Sequence, residues 1–564
     1  MRPIDRERLH QVQDYHERTK HRPDRYAASL GYMDWATQPD PFRTFAGSAQ
    51  IELPHPDLRS APTYDGLFAR VPPASALDAE LIGRLFFHSL ALSAWKQVPG
   101  GAGWSLRVNP SSGNLHPTEA YLISGPVPGL LDEPGVFHYA PFRHRLERRC
   151  RLSAQDWNRL TEGMPAPCLL VALTSIYWRE SWKYGERAFR YCNHDVGHAI
   201  GAIAFSARAL GWEARIIEGP ADEDLGHLLG TDLQSGIEAE HPDCLLALYP
   251  ADTGSQNRLP ELSPEQWRNR LPSAEFTGEP NELSSDHHEW PVIEEVSRAS
   301  RHLRTEQEDG HGAEGRPPPP PPDLLEDRGH PAEQIIRRRR SAVAMDGTTS
   351  LGRTPFYQLL QRTLPGQFPF RALPWPPRIA LAIFVHRVAD LPPGLYLLVR
   401  DPAQEAALRR SLKPEFDWEK PEACPEDLPL FRLVTGDATR AAKVISCQQD
   451  IAGDSVFSLG MLAEYETALA LEGPAFYPRL FWETGLIGQI LYLEAEAEGI
   501  RGTGIGCFFD DVMHDLLGIT DRSWQSLYHF TVGGPVKDTR LRTIAPYDHI
   551  HSDRAEPLVP LRAS

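Results

Sequence analysis

Residues 197–230, GHAIGAIAFSARALGWEARIIEGPADEDLGHLLG, and residues 485–518, GLIGQILYLEAEAEGIRGTGIGCFFDDVMHDLLG, decide the fold. At an offset of 288 with no gap they share Gly197/Gly485, Ala207/Ala495, Ala209/Ala497, Gly211/Gly499, Ile217/Ile505, Asp222/Asp510, Leu228/Leu516, Leu229/Leu517 and Gly230/Gly518. Nine identities in 34 positions exceed the roughly two that average composition gives. The acids Asp195 and Glu483 also fall together. In the first stretch Ile200, Ile203, Ala207 and Leu210 recur at helical spacing, and Gly211 sits where a left-handed cap is expected. Residues 215–217 then read as a short strand before the Glu218-Gly219 turn, and 222–229 as a helix with acids in its first turn. Upstream, 120–123 with 136–139, and 379–385 with 395–399, read as strand pairs. The spacing predicts one α+β domain occurring twice.

At 564 residues the chain is too long for one core, and 41% hydrophobic with 24% charged residues suits a globular protein. The clearest boundary is 304–331, where acidic, Gly and His residues lead into prolines 317–322. Such a stretch cannot bury enough apolar surface to fold, so we expect domains at 1–303 and 332–564 joined by a proline-stiffened linker. The alternative is a proline ligand for an aromatic groove. With 58 basic against 76 acidic residues, the net charge of -18 repels nucleic acid and anionic lipid. Seven scattered cysteines without a C-x-x-C pair suit reduced thiols. The N-terminus lacks a signal-peptide pattern and no apolar run of about 18 residues occurs, so a cytoplasmic protein is expected.

Several segments carry chemistry. Arg107-Val-Asn-Pro-Ser-Ser-Gly-Asn-Leu-His-Pro117 gathers a cation, hydroxyls, amides and a flexible glycine before a strand. It reads either as a turn or as a cradle for an anionic ring cofactor. Lys183-Tyr184 reads as a general base and acid pair, and Arg187 with Arg190 as a double reach to one anion. The bland reading of all four is a solvated helix face. His194-Asp195-Val-Gly-His198 sets two imidazoles four apart, as in the H-E-x-x-H zinc pattern, which would make a zinc hydrolase. Against zinc, no third ligand stands at a familiar distance, and the second copy has Trp482 and Leu486 there. In the second half, Arg337-Arg-Arg-Arg-Ser341 reads as a solvated patch or a phosphate clamp. Gly502-Thr-Gly-Ile-Gly506 lets backbone amides face a ring, though without Rossmann spacing.

Together these residues resemble the nitroreductase-like flavoproteins, and specifically their SagB-type dehydrogenase branch. The resemblance rests on Tyr15-His-Glu-Arg-Thr-Lys-His21, the 107–117 segment, Lys183-Tyr-Gly-Glu-Arg187 with Arg190-Tyr191, Asp195-x-Gly-His198 and Ile217-Glu-Gly219. In the second half it rests on Arg339-Arg-Ser341, Pro393-Gly-Leu-Tyr396, and Gly504-Ile-Gly506 through Gly518. It implies two nitroreductase-like α+β domains, a sheet flanked by helices, paired as a pseudo-dimer within one chain, with FMN at their interface. It further implies that Arg107 serves the phosphate or ribityl chain, that Ser111, Ser112, Gly113 and Asn114 flank the isoalloxazine, and that Glu218-Gly219 approaches its N5 edge. Arg340, Ser341 and Gly506 would complete the site, with Lys183 and Tyr184 catalytic. The implied reaction passes hydride between flavin and an organic substrate, such as an azoline in a modified peptide. The alternatives are an NAD(P)H-dependent nitro or quinone reductase, or a non-catalytic flavin scaffold. Residues 374–377, Pro-Trp-Pro-Pro, replace the Pro-Ser-Ser-Gly-Asn turn, the second half lacks a Lys-Tyr pair, and Val343 stands where the motif has arginine. One competent site is therefore expected.

Overall fold

The duplication appears in the computed structural model as two antiparallel sheets with one strand order. The structure describes residues 3–56, 62–251, 259–303 and 327–551, so prolines 317–322 lie outside the described residues. In the first half β1 (Ala49–Glu52), β2 (Thr118–Ser124), β3 (Gly135–Ala140), β4 (Arg145–Arg151), β5 (Leu169–Ser175), β6 (Trp212–Ile216) and β7 (His241–Pro250) lie in the order β1-β4-β3-β2-β5-β7-β6. In the second, β8 (Ile379–Val385), β9 (Gly394–Leu398), β10 (Leu430–Thr435), β11 (Phe457–Glu464), β12 (Arg501–Ile505) and β13 (Trp524–Gly533) lie in the order β10-β9-β8-β11-β13-β12. Without β1 the two orders are the same. The expected strand pairs form, Leu122 facing Phe137 and Ile383 facing Tyr396. Every residue of β2 and β8 is buried, which explains their apolar runs in antiparallel sheets covered on both faces.

The helices that position the site are α1 (Pro3–Arg18), α2 (Tyr177–Tyr184), α3 (Ala188–Ala209), α4 (Asp222–Leu229), α5 (Ala332–Arg338), α6 (Phe476–Ala497) and α7 (Asp510–Leu517). Gly211 caps α3 with φ 75° and Gly230 caps α4 with φ 72°, as the glycine spacing predicts. The 22-residue helices α3 and α6 are duplicates and cross at their duplicated glycines. A β-carbon on Gly197 would run into the Trp482 carbonyl and come within 2.8 Å of Gly485 Cα. One on Gly485 would run into the His194 carbonyl and come within 2.8 Å of Gly197 Cα. His194 and Trp482 are themselves related by the offset of 288, so the contact is reciprocal, as at a two-fold axis. Among the described residues no helix is long and apolar enough to cross a membrane.

The halves also exchange segments. Arg542–Ile544, from the end of the second half, adds a strand to the hairpin of Leu92–Gln97 and Gly103–Arg107 in the first. Tyr547 donates to the Pro141 carbonyl at 3.1 Å, and Trp95 to that of Pro546 at 2.9 Å. In return, the strand-like His21 at the end of the α1 segment bridges to Phe509. After the linker the chain first packs on the first half, where Ala332 donates to the Pro62 carbonyl and Arg84 ion-pairs with Glu333.

Arg187 and Arg190 correct the solvated-face reading. Both are at most 1% exposed, and both pair with Asp510 at the start of α7, Nη1 to Oδ2 at 3.1 Å and Nη1 to Oδ1 at 2.8 Å. The Tyr15–His21 motif closes around them. Arg190 donates to the His16 carbonyl at 2.5 Å and Arg187 to that of Thr19 at 2.5 Å, while the His21 amide donates to Asp510 at 3.0 Å. Burial alone would raise the Asp510 carboxyl, but the two arginines outweigh it and hold it down at about 2. The anion these arginines share thus belongs to the protein's other half.

Candidate active site in the seam between the halves

The turn 110–116 is wound tightly before β2. Gly113, Asn114 and His116 all have left-handed backbones, with φ of 59°, 61° and 54°. Asn114 and His116 adopt this region at a cost that surrounding bonds must offset. Asp195 on α3 accepts the Ser112 amide at 3.0 and 3.2 Å and its hydroxyl at 3.0 Å. Asn114 Nδ2 donates to the Ser105 carbonyl at 2.9 Å and its Oδ1 meets His116 Nε2 at 3.0 Å. Ser111 Oγ accepts the His116 amide at 2.8 Å. The side chains of Ser111, Ser112 and Asn114 therefore hold the turn itself, leaving Gly113 exposed at its tip. In the second copy Glu483, the counterpart of Asp195, accepts the Arg378 amide at 2.9 Å, so both acids anchor the approach to the central strand. Burial raises Asp195 to about 7 against the bonds from Ser111 and Ser112.

Lys183 and Tyr184, at the end of α2, stand over that exposed tip. A β-carbon on Gly113 would lie 2.7 Å from Tyr184 Oη and 3.2 Å from Lys183 Nζ. The sequence candidates at 111–114 and at 183–184 are thus brought together. Burial, then nearby Glu180, pushes the Tyr184 phenol well above its usual range, so it stays protonated at neutral pH. Tyr184 packs on Tyr191 with centroids 4.4 Å apart and planes tilted by 38°, and Tyr191 occupies the space a side chain on Gly506 would take.

From Gly506 the second half continues the rim. Gly504 faces Tyr528 with no room for a side chain, and its amide donates to Tyr492 Oη at 2.9 Å. Ser341 Oγ also meets Tyr492 Oη, at 2.9 Å. Sequence reasoning missed Tyr492 and Tyr528, whose offset counterparts are Ala204 and Glu240 and carry no repeat signal. The two bare glycines were the available hint, since a strand without side chains needs neighbours to cover it.

The arginine run closes the rim on the first half. Arg339 donates to the Arg107 and Val108 carbonyls, both at 3.1 Å, and Arg337 to those of Phe87 at 2.9 Å and Leu92 at 2.8 Å. Arg340 donates to the Ser93 carbonyl at 3.0 Å. Among the described residues none of these three forms an ion pair. Burial, then Arg339 and Arg337, lowers Arg340 to about 9, and burial then Arg340 lowers Lys96. In a chain of net charge -18, a largely buried cation cluster met by carbonyls and by the rings of Phe87 and Tyr492, with no carboxylate, suits a bound anion such as a phosphate. Arg107 contributes differently from expectation. Its guanidinium is buried over Phe42 and donates to the Pro41 carbonyl, while its own carbonyl meets Arg339.

Glu218 and Gly219 are not brought to this rim. They lie on the other seam, where Glu218 is 3.7 Å from Arg479 and Gly219 lines a cavity of about 320 Å³ with Asn193, Asp243, Arg301, Arg479 and Trp482. The two-fold relation is the reason. The loop after β12 reaches Tyr191 on α3, so the loop after β6 reaches Tyr191's counterpart, Arg479 on α6. There Arg479 lies 5.3 Å over Trp375, from the Pro-Trp-Pro-Pro segment. His194 Nδ1 meets Thr484 at 3.1 Å and His198 Nε2 meets Tyr528 at 3.1 Å. Both imidazoles are thus hydrogen-bonded across the halves, and among the described residues no group of three His, Cys, Asp or Glu side chains is placed to hold a metal.

A duplicated α+β chain with one cation-lined seam and one tryptophan-lined seam is the class this architecture defines. The nitroreductase family matches residues 89–248 and 395–534, one half each, and the chain belongs to that family. It is 32% identical over 167 residues to a Methanocaldococcus jannaschii protein provisionally named a nitroreductase, covering 28% of this chain and 80% of the relative. A crystal structure from Anabaena variabilis, also provisionally named a nitroreductase, superposes with a TM-score of 0.67 at 24% identity over 93% of this chain and 99% of the other. That likeness extends the fold to both halves together. The chain is accordingly a nitroreductase-family oxidoreductase.

Proposed function

We propose that the chain binds one FMN in the cation-lined seam and acts as a SagB-type dehydrogenase on an organic substrate, with 1–303 and 332–564 as its two domains. The observation that carries this is the cluster of buried Arg339 and half-buried Arg337 and Arg340, without ion pairs among the described residues, beside the 110–116 turn and the glycines of β12. Arg340, Ser341 and Lys96 would hold the phosphate, and a flat ring would lie by the exposed Gly113, lined by Tyr191 and Tyr528, the side chains that cover Gly506 and Gly504. Bound there, the flavin supplies a hydride acceptor and donor at N5. The chain supplies the proton chemistry. Tyr184 Oη, kept protonated by burial, donates at the face above Gly113, and Lys183 Nζ exchanges a proton beside it. An azoline within a modified peptide fits as substrate because its oxidation removes one hydride and one proton.

The test is titration of the full chain with FMN, followed by fluorescence quenching. Wild type should take up FMN, and Arg340→Gln should bind about 10- to 100-fold more weakly, the usual worth of a charge-assisted bond, with unchanged thermal unfolding. Wild type that takes up no FMN overturns the reading. Lys183→Ala should keep FMN but oxidise a thiazoline peptide about 10²-fold or more slowly. Bleaching by NADPH without any response to the peptide would move the chain to the nitro and quinone reductases.

A further inference from the structure

Two thiols outside the proposed chemistry lie against each other at the edge of the seam. Cys507 follows Gly506 in the loop between β12 and α7, and Cys447 lies in the turn between helices Thr439–Ile445 and Asp450–Gly453. Each is partly exposed, whereas Cys150, Cys168, Cys192 and Cys244 are buried. The two loops are pinned on both sides of the thiols. Gln449 Nε2 donates to the Cys507 carbonyl at 3.0 Å, and the Phe509 amide donates to the Ile445 carbonyl at 2.7 Å. Two residues inward from the Phe509–Ile445 bond on each strand of chain, Cys507 and Cys447 fall opposite each other. Cys447 and Gln448 both have left-handed backbones, φ 52° and 62°, a conformation non-glycine residues hold only under constraint.

The surroundings favour charge on one sulfur. His21 Nδ1 accepts the Ala27 amide at 3.0 Å, which puts its proton on Nε2, and its bridge to Phe509 sets the ring beside the 507 loop. Arg187, whose Nη2 donates to the Gly506 carbonyl at 3.2 Å, adds a fixed positive charge. The bond from Cys447, then His21 and Arg187, hold the Cys507 thiol below its usual range against burial, while Cys447 is held above its own. The pair therefore has the attributes of an attacking thiolate and a resolving thiol.

We propose that Cys447 and Cys507 form a redox dithiol that hydrogen peroxide closes to a disulfide at the rim of the seam. The Cys507 thiolate attacks one peroxide oxygen, so an S–O bond forms, the O–O bond breaks, and the departing hydroxide takes a proton as water. Cys447 sulfur then attacks Cys507 sulfur; the S–S bond forms, the S–O bond breaks, and the second water leaves with the Cys447 proton. The two thiols lose two electrons and the peroxide gains them. A disulfide would tie the 446–448 turn to the loop that sets Gly506 against Tyr191 and, through it, Tyr184. Only that last consequence rests on the flavin reading.

The experiment adds one equivalent of hydrogen peroxide to the full chain, alkylates the remaining thiols and maps the peptides by mass without reduction. A Cys447–Cys507 linked peptide, absent after dithiothreitol, is expected, and Cys447→Ser should leave Cys507 as a sulfenic acid captured by dimedone. Both cysteines alkylated in wild type at tenfold excess peroxide, or Cys507 carried to sulfinic acid without a link, would overturn the proposal. The wild-type map decides alone if the serine variant does not fold. Because peroxide is added, the outcome is read whether or not FMN binds.

Discussion

Asp195 shows how one residue serves both structure and site. It sits 1% exposed behind the turn and takes three bonds from Ser112, yet burial keeps its carboxyl near 7, against an ordinary 3.8. The sign of the linkage is set by the unfolded chain, which gives up this proton first. Below about 4 both states are protonated; as pH climbs from there to about 7 only the folded state keeps the proton, so stability falls, and above that it levels off. The shift corresponds to a loss on the order of 4 kcal/mol. Denaturant unfolding at a series of pH values should show wild type losing stability relative to Asp195→Asn across that window; a constant gap would mean Asp195 ionises in the usual range. The acid's alignment with Glu483 was visible in the repeat, but its partner Ser112 was not, because a helix and a turn 83 residues apart share no local pattern. Arg187 and Arg190 were harder still. Charges three apart on a helix are ordinarily solvated, and their partner lies 320 residues beyond Arg190.

At the level of elements, the duplicated glycines decide how close the two long helices come. Alanine inside a helix normally gains about 1 kcal/mol over glycine. At Gly197 the added methyl meets the Trp482 carbonyl and Gly485 Cα, and at Gly485 it meets the His194 carbonyl and Gly197. Backbone cannot yield as a flexible side chain would, so Gly197→Ala and Gly485→Ala should each cost about 2–3 kcal/mol in urea unfolding, opposite in sign to propensity. A stabilised variant would show that the helices stand further apart. These glycines and both capped short helices were legible because they recur at one offset, and the strand pairs because of their apolar runs. The exchange of loops was not, since an offset reveals what repeats and says nothing of which copy each segment touches. That is why Glu218-Gly219, aligned with the Gly506-Cys507 loop and expected at the flavin N5 edge, lies instead by Arg479 on the other seam.

The whole molecule has two seams related by one axis, and they differ in charge and in filling. One is ringed by Arg337, Arg339 and Arg340, with Gly504 and Gly506 opposite beneath Tyr528 and Tyr191. The other has Trp375 and Trp482 with centroids 6.0 Å apart, and Arg479 lies over the first. A symmetric dimer would give both seams the same residues, so duplication followed by divergence is what permits one to change without the other. Under the FMN reading, occupancy should follow that asymmetry. Flavin released by heat from saturated, desalted protein should count to one per chain. Arg479→Gln, which alters only the tryptophan-lined seam, should leave that count at one, whereas Arg340→Gln should lower it. A count of two, or loss of flavin on changing Arg479 with Arg340 intact, would place a flavin in the tryptophan-lined seam. That would mean Trp375 and Trp482 stack on a ring rather than replace one.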